Sequence, residues 1–158
     1  VLIRRKDLLV RLAATSLTLW VFVALLVWPR VDPYRTPQDM MEQVEQKLPP
    51  QSELALLYFK EQFLLFSHRP LTHFSYLAPL EEQERNAWRW MREAPQRFLL
   101  VPTDAQLTCF DVARTVSLGE AHRREWVIYG AESLRASCEQ PQRERRYVYR
   151  PVTRGVLP

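Results

Sequence analysis

Hydrophobic residues fall along this chain in three kinds of block, and each predicts a different element. The first block is continuous. Leu12–Trp28 holds seventeen residues without a charge, and starting at Leu8 with Arg11 admitted extends the run to twenty-one. At about 1.5 Å per residue these runs reach roughly 25 and 31 Å, against a bilayer core of about 30 Å. The pattern predicts a transmembrane helix. Arg11 can carry its charge to one interface on its long stem, and Trp28 suits the other. Pro29 is expected to stop the helix, and the hydroxyls of Thr15, Ser16 and Thr18 to bond back to it or to a neighbour. A cleaved signal would end in small residues, whereas this run ends in Val27-Trp28-Pro29-Arg30. A buried soluble helix is the remaining alternative, and the run exceeds most of those. Arg4, Arg5 and Lys6 precede the span, while Arg30 and Arg35 are partly offset by Asp32. The positive-inside bias therefore predicts a cytoplasmic N-terminus and an external segment beyond residue 30.

The second kind of block repeats at helical spacing. After the proline-rich "WPRVDPYRTP", expected to be an extended exit, Thr36 reads as an N-cap with Pro37 at the first helical position. Met41, Val44 and Leu48 follow until Pro49-Pro50. From about Leu80 to Ala94, Leu80, Ala87, Trp88, Met91 and Ala94 form one apolar face. Glu81 and Glu82 favour its start, Glu81–Arg85 and Arg89–Glu93 pair on the opposite side, and Pro95 ends it. The third kind is short and apolar throughout: Leu54–Phe59 and "RFLLVP" suit strands covered on both faces. Phe59, Phe63 and Phe66 predict a short helix after the first strand, and "LTHFSY" a second strand. "TVSLG" and "WVIYG" predict a hairpin across "EAHRRE". Helices alternating with such strands define an α/β layered domain of about 100 residues. The expected organisation is a cytoplasmic stub and transmembrane helix over 1–30, an extracytoplasmic α/β domain over 31–140, and a basic, exposed, flexible tail over 141–158.

Composition adjusts this picture in two ways. The net charge of +4 divides into +4 for residues 1–35, −4 for 36–140 and +4 for 141–158. Basic ends on an acidic middle do not make a folded phosphate-binding face, so no nucleic-acid partner is expected. Three glycines leave no glycine-rich phosphate loop. Two cysteines, Cys109 and Cys138, are too few for a zinc site. They are either small buried hydrophobes or, in an oxidising compartment, a disulfide.

Catalytic constellations are missing from the sequence. The three histidines, His68, His73 and His122, fit no H-E-x-x-H pattern, and no G-x-S-x-G elbow occurs. Glu81, Glu82 and Glu84 are assigned to the solvated start of an amphipathic helix, and His122 to a turn. No metal and no cofactor are expected, and an independent soluble hydrolase has no residues to carry it. The densest chemistry lies in "YFKEQFLLFSHRPLTHF", which holds Lys60, Glu61, Gln62, His68, Arg69 and His73. If Leu54–Phe59 is a parallel strand, Lys60, Glu61 and Gln62 lie just past its carboxyl end, where open α/β sheets bind ligands, with His73 on the neighbouring strand. These four are the candidate ligand-contacting residues, set against a reading in which they merely solvate the sheet edge.

The strings "WPRVDPYRTP", "KEQFLLFSHRPLTHF", "CFD" and "AHRREWVIYGAE", following one apolar span, resemble the C-terminal portion of bacterial polyprenyl-phosphate-dependent membrane glycosyltransferases. These are the relatives of lipid A aminoarabinose transferase and protein mannosyltransferases. The resemblance covers about residues 12–140. It implies a small periplasmic α/β domain after the last span of an inner-membrane enzyme of the cell envelope. The implied partners are the bilayer, an undecaprenyl-phosphate-linked sugar and the upstream helices of the parent enzyme. The family's catalytic carboxylate belongs to an early external loop that this chain lacks, so no residue here is assigned as catalytic. The resemblance implies a C-terminal piece of such an enzyme or a stand-alone relative of that piece. The contrasting expectation is a single-span anchored interaction domain without catalysis.

Overall fold

The structure, a computed structural model, describes residues 5–151. The chain begins with helix α1 (Arg5–Phe22), which passes through a π-helical turn (Val23–Val27) into α2 (Trp28–Arg35). Within it, the 25 residues Asp7–Val31 are long and apolar enough to cross a membrane: their most apolar 18-residue stretch has a mean hydropathy of 2.0, and none of that stretch is buried. Thr15 and Thr18 donate to the carbonyls of Arg11 and Ala14 at 2.8 and 2.9 Å, so their hydroxyls are satisfied within the helix. Pro29 does not end the helix, contrary to the expectation of an extended exit. The Trp28 N–H reaches back five residues to the Val23 carbonyl. That slack lies directly before the proline, where an ideal α-turn would press the ring against the carbonyl four residues back. The Arg30 guanidinium donates to the Leu26 carbonyl at 2.9 Å.

Beyond the long helix, α3 (Gln38–Lys47) starts one residue later than the sequence suggests, with Pro37 in the cap position. It buries Met40, Met41 and Val44. The remaining elements are β1 (Glu53–Leu56), α4 (Gln62–Phe66), β2 (Leu71–His73), α5 (Leu80–Arg92), β3 (Arg97–Pro102), β4 (Thr115–Ala121), β5 (Arg124–Tyr129) and β6 (Tyr147–Tyr149). They form a mixed α/β fold around a six-stranded sheet of order β4-β5-β3-β1-β2-β6. β1 is parallel to both β2 and β3, and the outer strands join antiparallel.

Strand alternation distributes β1 between two cores. Leu54 and Leu56 pack with Met41, Val44, Phe63 and Trp126 on the α3–α4 side. Ala55 and Leu57 pack with Trp88, Trp90, Met91 and Phe110 on the α5 side. A strand buried on both faces must be apolar throughout, which is why "LALL" reads as it does. The expected hairpin forms, but its strands extend into "EAHRRE" and leave only His122 and Arg123 in the turn.

The segment expected to be a flexible tail is exposed, yet its described part is held. Gln142 and Arg143 N–H groups donate to the Glu82 carboxylate. Asn86 donates to the Arg143 carbonyl and accepts from the Arg145 N–H, and β6 adds an edge to β2. Residues 152–158, the rest of that tail, and residues 1–4 lie outside the described residues. The same segment redirects the helix charges: Arg85 pairs with Glu82 and Glu139 rather than Glu81, and Arg89 with Glu144 rather than Glu93. Cys109 and Cys138 form a disulfide with Cα atoms 5.2 Å apart.

Candidate functional site

Contacts locate one end of the sheet. Lys47 Nζ donates to the Ser117 carbonyl, and Gln43 lies over Gly119, so α3 runs back along β4 and its start lies towards the β4–β5 turn. At that turn Arg124 sits 4.8 Å over the Tyr58 ring and bonds Asp104, while His122 lies 5.6 Å from Phe63. The carboxyl ends of β1, β2 and β3 therefore share an end with the start of α3, the end at which the apolar helix arrives.

Backbone strain concentrates at the same end. Among the described residues, the non-glycine positions with positive φ are Tyr58 (56°), Ser75 (77°), His122 (54°) and Arg123 (62°). His122 and Arg123 form the two-residue hairpin turn, whose handedness needs positive φ at both central positions. Tyr58 and Ser75 each lie two residues past their strands, β1 and β2. For a bulky aromatic such a conformation costs of order 1–3 kcal/mol, and strain of this kind clusters at ligand sites. Here it turns the two chains to opposite faces, towards α4 and α5, and opens a crevice between them.

The crevice consists of two adjoining hollows that share Phe59, Lys60 and Tyr76. One, of about 380 Å³, also takes Glu61 and Gln62. The other, of about 260 Å³, is backed by Ala78, Leu80 and Gln83. Three of the four sequence candidates, Lys60, Glu61 and Gln62, thus line one cavity. His73 does not reach it: its ring stacks on Phe59 at 4.1 Å on one side and on Tyr147 at 5.2 Å on the other. Phe59 is thereby fixed as a wall, with Tyr76 6.5 Å away. Gln83 is missing from the sequence candidates. It is 5 % exposed, its amide nitrogen donates to the Ala78 carbonyl at 2.7 Å, and its Oε1 is buried without a partner among the described residues. A polar residue three positions after Leu80, on the apolar stripe of α5, is the signal that marks it.

A larger groove of about 680 Å³ beside the disulfide is lined by Glu81, Glu84, Arg85 and Glu139. Glu84, Arg85 and Glu139 are already engaged there. Glu84, expected on a solvated surface, is 2 % exposed. It accepts the N–H groups of Thr108 and Cys109, both at 2.6 Å. Arg85 is held by Glu82 and Glu139. Burial of Glu84 follows from the loop that α5 must cap, which no local pattern signals. No group of three or more possible metal ligands occurs among the described residues.

Burial pushes the His73 pKa below its usual 6.5, and burial followed by the Lys60 charge does the same to His122. Both rings are thus held neutral in the fold more firmly than in the unfolded chain. As pH falls through about 6.5 the unfolded chain takes up protons first, so stability is present above that pH and lost below it. Denaturant midpoints should drop between pH 7.5 and 5.5, and His73→Gln with His122→Gln should flatten that dependence. An unchanged slope in the double variant would assign the effect elsewhere.

Comparison of the chain with protein-family profiles, curated proteins and solved structures finds no match.

Proposed function

We propose that this chain is the membrane-anchored, extracytoplasmic accessory part of an inner-membrane glycosyltransferase that uses polyprenyl-phosphate-linked sugars, and that it is not itself catalytic. The observation that carries this reading is the crevice at the carboxyl ends of β1 and β2, at the end of the sheet where an unburied apolar helix arrives. A helix from Arg5 to Arg35 is about 46 Å long, enough to cross a bilayer core of about 30 Å and deliver the domain to its surface. The charge bias puts residues beyond 30 in the periplasm, an oxidising compartment that suits the Cys109–Cys138 bond. Lys60, Glu61 and Gln62 then face the layer in which a lipid-linked sugar head resides. The family resemblance of the strings around them supports the same assignment.

Deleting residues 36–140 from the intact parent enzyme should abolish sugar transfer, and protease added to spheroplasts should digest those residues. Full transfer without the domain, or protection from external protease, would overturn the reading. Exposed Leu65, Tyr76 and Leu77, between 62 and 79 % accessible, favour the other reading, a single-span anchor presenting an interaction surface. That reading requires the parent gene product to show no sugar transfer at all.

A further inference from the structure

We propose that the carboxyl end of the sheet docks on the bilayer surface, with Leu65, Tyr76 and Leu77 seated among the lipid headgroups and upper acyl chains. The proposal rests on the membrane anchor of the function argued above and is independent of sugar transfer.

Three observations carry it. First, the apolar side chains are presented by the backbone. The Ala78 N–H donates to the Ser75 carbonyl at 3.3 Å, closing a turn with Tyr76 and Leu77 at its corners. Turn corners are ordinarily Gly, Pro, Asn, Asp or Ser. Here both are large and apolar, 62 and 76 % exposed, and the turn leaves a strained Ser75 at φ 77°. On α4, Phe63 is buried, whereas Leu65 is 79 % exposed. Leu65 lies three positions after Gln62 and so shares the helix face that meets Tyr76 across the hollow. The three side chains thus stand around one mouth.

Second, the anchor holds that mouth near lipid. The apolar stretch runs to Val31, α2 ends at Arg35 and α3 begins at Gln38. Four helical residues rise about 6 Å, and the three steps from Arg35 to Gln38 span at most about 11 Å. α2 touches β4, and α4 packs beside α3. The end of the sheet is therefore tied close to a headgroup layer of roughly 5–7 Å. Third, the surroundings suit lipid better than a charged partner. Exposed Lys60 and Arg123 are matched by exposed Glu61 and Glu120, so no single-sign patch forms. Tyr147, half exposed and opposite His73, adds a second tyrosine at this end. Tyrosine suits the interface, with its ring in the acyl boundary and its hydroxyl in water.

The test uses the full chain in phosphatidylcholine nanodiscs that carry a lipid spin-labelled just below the headgroup. Amide signals of residues 64–66 and 76–78 should broaden. Those of Val112 and Val116, exposed apolar residues at the opposite end, should not. Leu65→Ser with Leu77→Ser should reduce the broadening about tenfold, at an unchanged denaturant midpoint because both side chains are exposed. Raising the salt concentration should leave it unchanged. No broadening at 64–66 and 76–78 while α1 is broadened, equal broadening at both ends, or wild-type broadening in the double variant overturns the docking and leaves the proposed function standing. Broadening abolished by salt overturns it in favour of a charge contact. Shifts at these residues that grow when two chains share a disc overturn it in favour of a second copy. An α1 untouched by the spin label removes the anchor, and with it both readings. A parent that transfers no sugar while the broadening is seen removes the proposed function and leaves the docking standing.

Discussion

Arg69→Ala should destabilise the domain by about 3 kcal/mol, the lower part of the range for breaking a buried ion pair. Arg69 is 7 % exposed and Glu45 25 %. Its Nε lies 3.0 Å from both oxygens of Glu45, with Nη2 on the same carboxylate. Nη1 donates to Ser52 Oγ at 2.8 Å and to the Pro49 carbonyl at 3.2 Å. One planar guanidinium therefore joins the end of α3, the Pro49–Ser52 turn before β1 and the approach to β2. Removing it takes from the Ser52 hydroxyl its guanidinium donor, while the Pro49 carbonyl keeps the Ser52 N–H and hydroxyl and Glu45 can regain water at its exposed edge. That partial exposure argues against the upper end of the range. Arg69→Lys should recover little, because an ammonium cannot make the fork to Glu45 and reach Ser52 together. A cycle with Glu45→Ala, read by denaturant unfolding of the full chain in detergent, should give a coupling of about 1–3 kcal/mol. A loss under about 0.5 kcal/mol for Arg69→Ala would mean that the group behaves as a surface pair.

Arg69 also shows where the sequence could be read and where it could not. Its stretch holds six chemically capable side chains, and composition cannot tell a ligand group from a structural clamp. The partner that decides, Glu45, is 24 residues away and lies on an element whose own pattern reports only its apolar face. The apolar runs were legible because a central strand has no solvent side: "RFLLVP" matches β3 from end to end. β1 is shorter than its run. Tyr58 takes a left-handed conformation that ends pairing after Leu56, a decision local hydrophobicity cannot express. The helix through Pro29 was hidden for the converse reason. Proline is a reliable breaker in an α-turn, and the extra residue of a π turn that accommodates it leaves no compositional trace. Of the crevice, Lys60, Glu61 and Gln62 were reached by taking Leu54–Phe59 as a parallel strand and looking just past its carboxyl end. Gln83 and Tyr76 depend on how the β2–α5 loop folds back.

Opening the Cys109–Cys138 bond should have the largest effect of any covalent change. The bond joins positions 29 apart, and closing a loop of that length in the unfolded chain contributes about 3–4 kcal/mol in the chain-entropy account. The loss should not spread evenly. Cys109 is anchored independently, since its N–H and that of Thr108 are both held by buried Glu84. Cys138 begins the segment that crosses α5 and ends as β6. Upstream of it Trp88 Nε1 donates to the Arg135 carbonyl at 3.1 Å, and downstream Glu82 and Asn86 hold Gln142, Arg143 and Arg145. Most of these downstream bonds are exposed or half-buried, and exposed pairs contribute little individually. Reduction, or Cys109→Ala with Cys138→Ala, should therefore release this crossing segment first. Amides of Arg143, Arg145 and Tyr147–Tyr149 should lose hydrogen-exchange protection well before those of β1, β3 and β5, whose side chains fill both cores. Uniform loss of protection would show that the crossing segment and the sheet unfold as one unit. An unchanged unfolding midpoint after reduction would show that the buried Glu84 contacts alone suffice to hold the loop.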